Sequence, residues 1–445
     1  MKKLILLPVL LIALTLSCKK DLVAPDNSSD SATVTPEMAR DSLFYIMKEW
    51  YYWYNKPEAE SVTISNKGNY ADPYLLLDAM RYKALDRWSF VADYDQFMAQ
   101  MQGTFVGHGF SIGLDSASGK AGKARIAMIY SNSPLYANGV RRGWIVKKIN
   151  NTDVAQTLKS GSAAYSALIG PSQAGITNIF VFQPPTGNEV TISSTKSTFH
   201  INSVLVYDTL HLSTGVTGHI VFESFIETSE EDLAAAFKYF SDNNVKNLIV
   251  DLRYNSGGLL SVAQSLASYI AGSTHTGEVF LKFLYNDKHP EQNSSYPFRT
   301  TLYPLSLTKL VYITSRSTAS ASETVMNGLK PFLDIVSIGD TTDGKPTGMN
   351  GWGIGKKYAM FPVTFKTANS LNQGDFFDGF FPAKLSDDDI KHDFSDRKEL
   401  CLKEAIYYLE KGHVSPSSKS LSISKPSPRF SEKPEWMKNA FVLEK

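Results

Sequence analysis

Apolar residues open the chain as one block, Leu4 to Leu16 behind Lys2 and Lys3, closing on Ser17 and Cys18. The run is too short for a membrane-spanning helix, and its basic flank reads as an export signal over residues 1–18. From residue 19 to about 35 the chain turns to Asp, Ser, Pro and Thr with little to bury, which predicts a flexible tether. Helical spacing begins at Pro36, with Leu43, Phe44, Ile46, Met47, Trp50, Tyr51, Trp53 and Tyr54, and returns from Tyr74 to Lys83. Such stripes usually face a core, although aromatic ones also line ligand grooves. Between Asp86-Arg87-Trp88-Ser89-Phe90 and about residue 200 the apolar positions alternate over short runs. Gly107-His108-Gly109-Phe110 opens into a strand expected to have an unpaired edge, and Gly139 to Asn150 reads as a tight turn and a strand.

Beyond residue 200 strands and helices alternate. Strands are expected at 218–225, 247–253, 309–314 and 334–339, and helices at 229–243, from Gly257-Gly258 to Ala271, and from Ala321. That rhythm predicts an α/β core on a largely parallel sheet, where ligand sites gather at the strand ends. After Val414 the chain is rich in Ser, Lys and Pro and reads as a loose tail. The expected organisation is a signal (1–18), a tether (19–35), a helical region (36–103), a β-rich module (104–200), an α/β core (201–414) and a tail (415–445).

Composition narrows the function classes. The 445 residues carry 45 Lys and Arg against 44 Asp and Glu, so no global positive field points to nucleic acid. Of the two cysteines, Cys401 falls on an apolar helical stripe and reads as a small buried hydrophobe. The histidines show no metal-ligand spacing, and Asp387-Asp388-Asp389 reads as helix-start acids rather than a calcium loop. No metal or cofactor is expected.

The chemistry concentrates where the strand Lys309 to Thr314 runs into Ser315 to Ser322 and then a helix. A serine at such a junction sits by free helix amides that favour negative charge. A serine needs a base, and a lysine serves only if its amine is held neutral by burial or nearby positive charge. Lys345, on the tight turn Gly344-Lys345-Pro346 after the next strand, can reach the same place. The competing readings are structural: Ser320-Ala321-Ser322-Glu323 is also a capping box, and Lys345 alone would pass for a solvated loop residue.

These residues carry a resemblance. Thr318-Ala319-Ser320-Ala321-Ser322-Glu323 with Gly344-Lys345, a lysine 25 residues after the serine, resembles the signature of the carboxyl-terminal processing (tail-specific) serine peptidases. The resemblance implies an α/β protease core of the ClpP/crotonase-like kind, with Ser320 as nucleophile and Lys345 as base. It makes Asp251 to Gly258 the turn supplying one oxyanion amide, through Gly257, and Ala321 the other. Gln373 to Pro382 resembles the family's late Gly-x-x-Pro turn. Gly107, His108, Gly109 and Phe110 resemble the loop of a PDZ domain that receives a peptide's terminal carboxylate, so the implied partners are proteins bound through their C-termini. Ser17-Cys18 resembles a bacterial lipoprotein signal with Thr15 in the usual leucine position. It implies acylation of Cys18 and a lipid-anchored place in the cell envelope, ordinary signal cleavage being the alternative. One departure stands out: the family's glutamine four residues after the lysine is Met349 here, with Asn350 and Thr347 as substitutes. A non-catalytic protein that captures C-termini, an esterase and a Ser/His/Asp enzyme using a residue such as His219 remain as alternatives.

Overall fold

Alternation in the apolar strands after residue 200 divides their side chains between two faces, and both faces must be covered. In the computed structural model, which describes residues 34–115, 122–416 and 429–432, they form one six-stranded sheet. Val204–Leu212 and Gly215–Phe222 pair as an antiparallel hairpin at one edge. Asn247–Asp251, Lys309–Thr314, Ile335–Gly339 and Lys384–Leu385 then add in parallel.

Leu248, Val250, Leu310 and Tyr312 point into the main core, together with helices Ser229–Asp242, Leu260–Ala271 and Ala321–Leu329. Ile249, Val311, Ile313 and Ile338 point the other way, onto Cys401, Leu402, Ala405 and Leu409 of helix Leu400–Lys411. Cys401 is the buried hydrophobe expected of it, its thiol pushed up to about 12 by burial.

The N-terminal helices Pro36–Trp50 and Pro73–Met80 are capped by Thr35 and Asp72. Their apolar stripes, Leu43, Phe44, Met47, Leu76, Leu77 and Met80, join the same main core as the α/β sheet. The rhythm of the sequence did not reveal two antiparallel sheets that flank it. One joins Ser294–Pro297, Val279–Tyr285, Val363–Ala368 and Thr347–Met349; the other joins Phe90–Asp93, Tyr358–Phe361 and Trp352–Ile354. Each pairs strands brought together from distant parts of the chain, which local periodicity does not encode.

The described residues between 110 and 195 build a further sheet around a core of their own that includes Phe110, Ile112, Ile126, Val146, Phe180 and Phe182. Two expectations are corrected here. The edge of strand Phe110–Leu114 is not unpaired, because Arg429–Ser431 lies antiparallel along it. The stretch after Val414 is therefore not all loose tail: Phe430, apolar amid polar residues, is buried in this second core.

Among the described residues no helix is long and apolar enough to cross a membrane. The hydrophobic run Leu4 to Leu16, Cys18 and most of the expected tether lie outside the described residues.

Candidate active site

Parallel pairing of Thr314 with Gly339 sets the loops that follow these two strands side by side. The first loop ends at Ser320, directly before helix Ala321–Leu329; the second carries Lys345. Backbone bonds tie them, Asp340 N–H donating to Thr314 O and Asp343 N–H to Thr318 O, both at 2.9 Å.

Glu323 completes the union. Its Oε2 accepts from the amides of Ser320 (2.9 Å) and Lys345 (2.8 Å), and its Oε1 from Gly344 N–H (2.7 Å) and the Thr342 hydroxyl (2.5 Å). A residue read from the sequence as a helix cap is thus the clasp between the two loops. Burial pushes its carboxyl up to about 7, while the four donors favour the anion. Glu323→Gln turns an amide group towards these donors and should cost about 3–5 kcal/mol, two charge-assisted bonds being lost. Urea unfolding checks this; an unchanged midpoint would remove Glu323 from the role.

Ser320 sits at φ 62°, ψ −115°, a region rarely occupied by a side-chain-bearing residue and worth about 1–3 kcal/mol of strain. Its Oγ is buried and makes no hydrogen bond among the described residues. Ser322, buried beside it, donates its hydroxyl to Asn255 O at 3.1 Å, a structural role.

Lys345 is 1 % exposed, and burial pushes its amine down to about 7 against the opposing pull of Asp343, Asp86 and Glu323, with Arg87 adding to the fall. The Trp88 ring lies 5.9 Å from its Nζ, and the indole N–H donates to Asp343 Oδ2 at 3.0 Å. Arg87 donates to Asp343 O at 2.6 Å, and Asp86 accepts from the amides of Trp88 and Ser89 and from the Tyr51 hydroxyl. The strip Asp86 to Ser89 was visible in the sequence without a role; here it walls the lysine. Met349 is buried in strand Thr347–Met349. Of its expected substitutes, Asn350 Oδ1 accepts from the Thr364 hydroxyl, and Thr347 Oγ1 is buried without a hydrogen bond among the described residues.

Gly257 packs against Ser320: a Cβ there would stand 2.8 Å from Ser320 Cβ and 2.9 Å from Ala321 N, at φ +99°. The direction of its amide differs from the expectation, for Gly257 N–H donates to Asn255 Oδ1 at 2.9 Å. The amides of Gly258 and Ala321 have no hydrogen-bond acceptor among the described residues. Gly257→Ala should displace Ser320 and the adjacent amides, and if they serve hydrolysis kcat should fall by about 10²-fold with a smaller change in KM. Steady-state kinetics on a peptide would contradict this if kcat were unaffected.

The remaining candidates lie elsewhere. Asp251 and Arg253 are buried and paired with each other, and Arg253 pairs in addition with Glu399 and Asp388. Asp388 is an ion-pair node for Arg142 and Arg253 and not a helix-start acid, since the next helix begins only at Leu400; no metal-holding cluster is found among the described residues. The turn at Gly379 packs on the lysine loop, with Phe380 N–H donating to Thr342 Oγ1 at 2.7 Å. His219 stays inside the sheet, its Nδ1 3.3 Å from Asp208 Oδ1, and is not brought to Ser320. Gly107 to Phe110 lie in the second module, where His108 and Gly109 turn their amides onto the Glu432 carboxylate.

With this geometry in hand, the chain compares with known proteins as follows. Peptidase family S41 matches residues 216–376, and the Peptidase S41 N-terminal domain matches residues 40–90. The chain is similar to the carboxy-terminal processing protease CtpB of Bacillus subtilis (strain 168), 23% identical over 252 residues that cover 57% of this chain and 49% of that protein. It is also similar to the chloroplastic carboxyl-terminal-processing peptidase 1 of Arabidopsis thaliana, 24% identical over 265 residues covering 58% and 51%. The chain spans about half the length of the curated relatives it matches. In fold it resembles a crystal structure of a candidate S41 protease from Bacteroides fragilis NCTC 9343, with a TM-score of 0.68 at 21% identity, covering 83% of this chain and 96% of that one.

Proposed function

The chain belongs to peptidase family S41, and from that premise we propose that it is a serine endopeptidase that cuts near protein C-termini, with Ser320 as nucleophile and Lys345 as base. The observation that carries the reading is the Glu323 clasp, whose one carboxylate oxygen holds the amides of both Ser320 and Lys345. A serine and an amine buried on loops joined in this way supply a nucleophile and a base to the same small volume.

In the proposed reaction Ser320 Oγ attacks the scissile carbonyl while the neutral Lys345 amine takes its proton. The tetrahedral oxyanion is held by the Ala321 amide and by the Gly257–Gly258 turn. This requires either the Gly258 amide or release of the Gly257 amide from Asn255. The Lys345 ammonium then returns the proton to the leaving amine, the peptide bond breaks, and an acyl-enzyme remains on Ser320. Water, deprotonated by Lys345, attacks the ester and frees the acid product. No cofactor enters. Ser320 and Lys345 are 0 % and 1 % exposed, so a substrate must displace part of the surrounding wall to reach them.

We assign the core to the ClpP/crotonase-like folds and the module at 104–200 to the PDZ type, where a substrate's C-terminus would dock beside strand Phe110–Leu114. Acylation of Cys18 would hang the enzyme from a bacterial envelope membrane. A second reading, a non-catalytic binder of C-termini, draws on Met349 and on the engaged Gly257 amide.

The deciding experiment incubates an unstructured protein with wild type and with Ser320→Ala and maps the products by mass spectrometry. Cuts made by wild type alone and clustered towards the C-terminus support the enzyme. Identical patterns from both proteins overturn it, and an absence of cuts together with tight binding of C-terminal peptides favours the second reading.

A further inference from the structure

The groove expected to receive a partner's C-terminus is filled by the chain itself. Arg429, Phe430 and Ser431 pair with Gly113, Ile112 and Ser111, adding an antiparallel strand to the edge of Phe110–Leu114. Phe430 is 4 % exposed and packs into the module's core, its ring 5.8 Å from that of Tyr165. Two residues on, the Glu432 side chain turns into the loop Gly107 to Phe110. Its Oε2 accepts from His108 N–H at 2.7 Å and Gly109 N–H at 3.3 Å. A Cβ on Gly107 would stand 2.7 Å from the same oxygen, so the glycine leaves room for a carboxylate.

The second carboxylate oxygen meets a charge that the sequence did not single out. Lys196 Nζ lies 3.0 Å from Glu432 Oε1, and the two side chains are 0 % and 1 % exposed. The ammonium also donates to Gly170 O and Pro171 O, each at 2.9 Å, which leaves the carboxylate as its counter-charge. A buried ammonium without an anion is costly, so the pocket is built to hold a carboxylate at all times. Arg429 anchors the other end of the strand, its guanidinium paired with Asp388 and 5.3 Å from the Tyr254 ring. Asp388 is also the partner of Arg253, which lies on the turn leading to Gly257.

We infer that Arg429–Glu432 is a built-in ligand of this groove: the Glu432 side chain occupies a carboxylate site formed by the amides of His108 and Gly109 and by Lys196, and an incoming C-terminus binds by displacing it. Strand addition plus a captured carboxylate is how extended peptides are held at a sheet edge, and here an internal glutamate supplies the carboxylate. The competing partner rests on the docking reading above; the self-ligand does not.

The test uses the full chain carrying Ser320→Ala, so that no peptide is cut, alone, with Glu432→Gln, and with Phe430→Ser plus Glu432→Gln to empty the groove. A fluorescent, C-terminally amidated peptide with the sequence of residues 427–433 is titrated by anisotropy. It should bind the emptied chain at least about tenfold more tightly than the filled one, and changing its own glutamate to glutamine should remove at least about tenfold. Absence of binding, or affinity indifferent to that glutamate, overturns the inference. An unrelated peptide with a free apolar C-terminus should gain at least about tenfold from Glu432→Gln, and its amide should not bind. If the tail peptide binds while this second peptide binds neither chain, the self-ligand stands and the docking reading falls.

Discussion

Lys345→Arg is expected to abolish peptide hydrolysis, lowering kcat/KM by about 10³-fold or more, although it keeps both a long side chain and a positive charge. A lysine here could play either of two roles. A fixed cation would stabilise the oxyanion, and arginine would preserve most of that effect. A base must shed its proton near neutral pH, which a guanidinium does not do. Burial pushes Lys345 down to about 7 and so equips it for the second role. Lys345→Ala and Ser320→Ala should each fall to the same floor, and the double variant no lower, because a nucleophile and its base act as a unit. Measurement of kcat/KM on one fluorogenic peptide decides it. Activity of Lys345→Arg within tenfold of wild type would mean that Lys345 is not the base.

What was legible in the sequence follows from how far apart the interacting residues lie. The strands Asn247–Asp251 and Lys309–Thr314 and the helix Ala321–Leu329 could be read because their patterns repeat over a few residues. That the loops bearing Ser320 and Lys345 adjoin was legible for a different reason, because consecutive parallel strands bring the loops at their ends together, whereas the choice of this serine and this lysine rested on the resemblance of their interval to a family signature. The wall of the lysine pocket was not legible, since Trp88 meets Asp343 across 255 residues of chain and no periodicity links them. Nor was the second use of Glu323, because a capping glutamate and a clasp between loops require the same residue at the same position. The direction of the Gly257 amide depends on whether Asn255 folds back onto it, a choice of backbone dihedrals that two glycines leave open. The strand at Arg429–Ser431 was hidden by its surroundings, one buried phenylalanine in a run otherwise rich in Ser, Lys and Pro.

Lys345→Met is expected to make the protein more stable while leaving it inactive. An amine whose ordinary value is 10.5 and which is pushed down to about 7 in the folded chain is one whose loss of solvent outweighs the pull of Asp343, Asp86 and Glu323. Between those two values the unfolded chain binds the proton and the folded chain does not, so stability from this group rises with pH across pH 7 to 10.5 and is lost as pH falls through about 7. The full difference is on the order of 5 kcal/mol, and a methionine of similar length, carrying no charge, should recover about 1–4 kcal/mol of it near pH 7. Glu323 works in the adjoining window with the opposite slope: its raised carboxyl contributes stability below its ordinary 4.5 that is lost as pH rises through about 7. Urea unfolding of both proteins should therefore show the advantage of Lys345→Met shrinking by about 1.4 kcal/mol per pH unit between pH 7.5 and 9.5. In the proposed mechanism the same proton governs the rate. Wild-type kcat/KM should climb about tenfold per pH unit below about 7 and level off above it, as the neutral amine becomes the prevailing form. A pH-independent advantage for Lys345→Met, together with a rate that is flat from pH 5.5 to 9, would mean that the amine is already neutral or never used. If it is never used, the strained, buried arrangement of Ser320 and Lys345 would need an explanation other than catalysis.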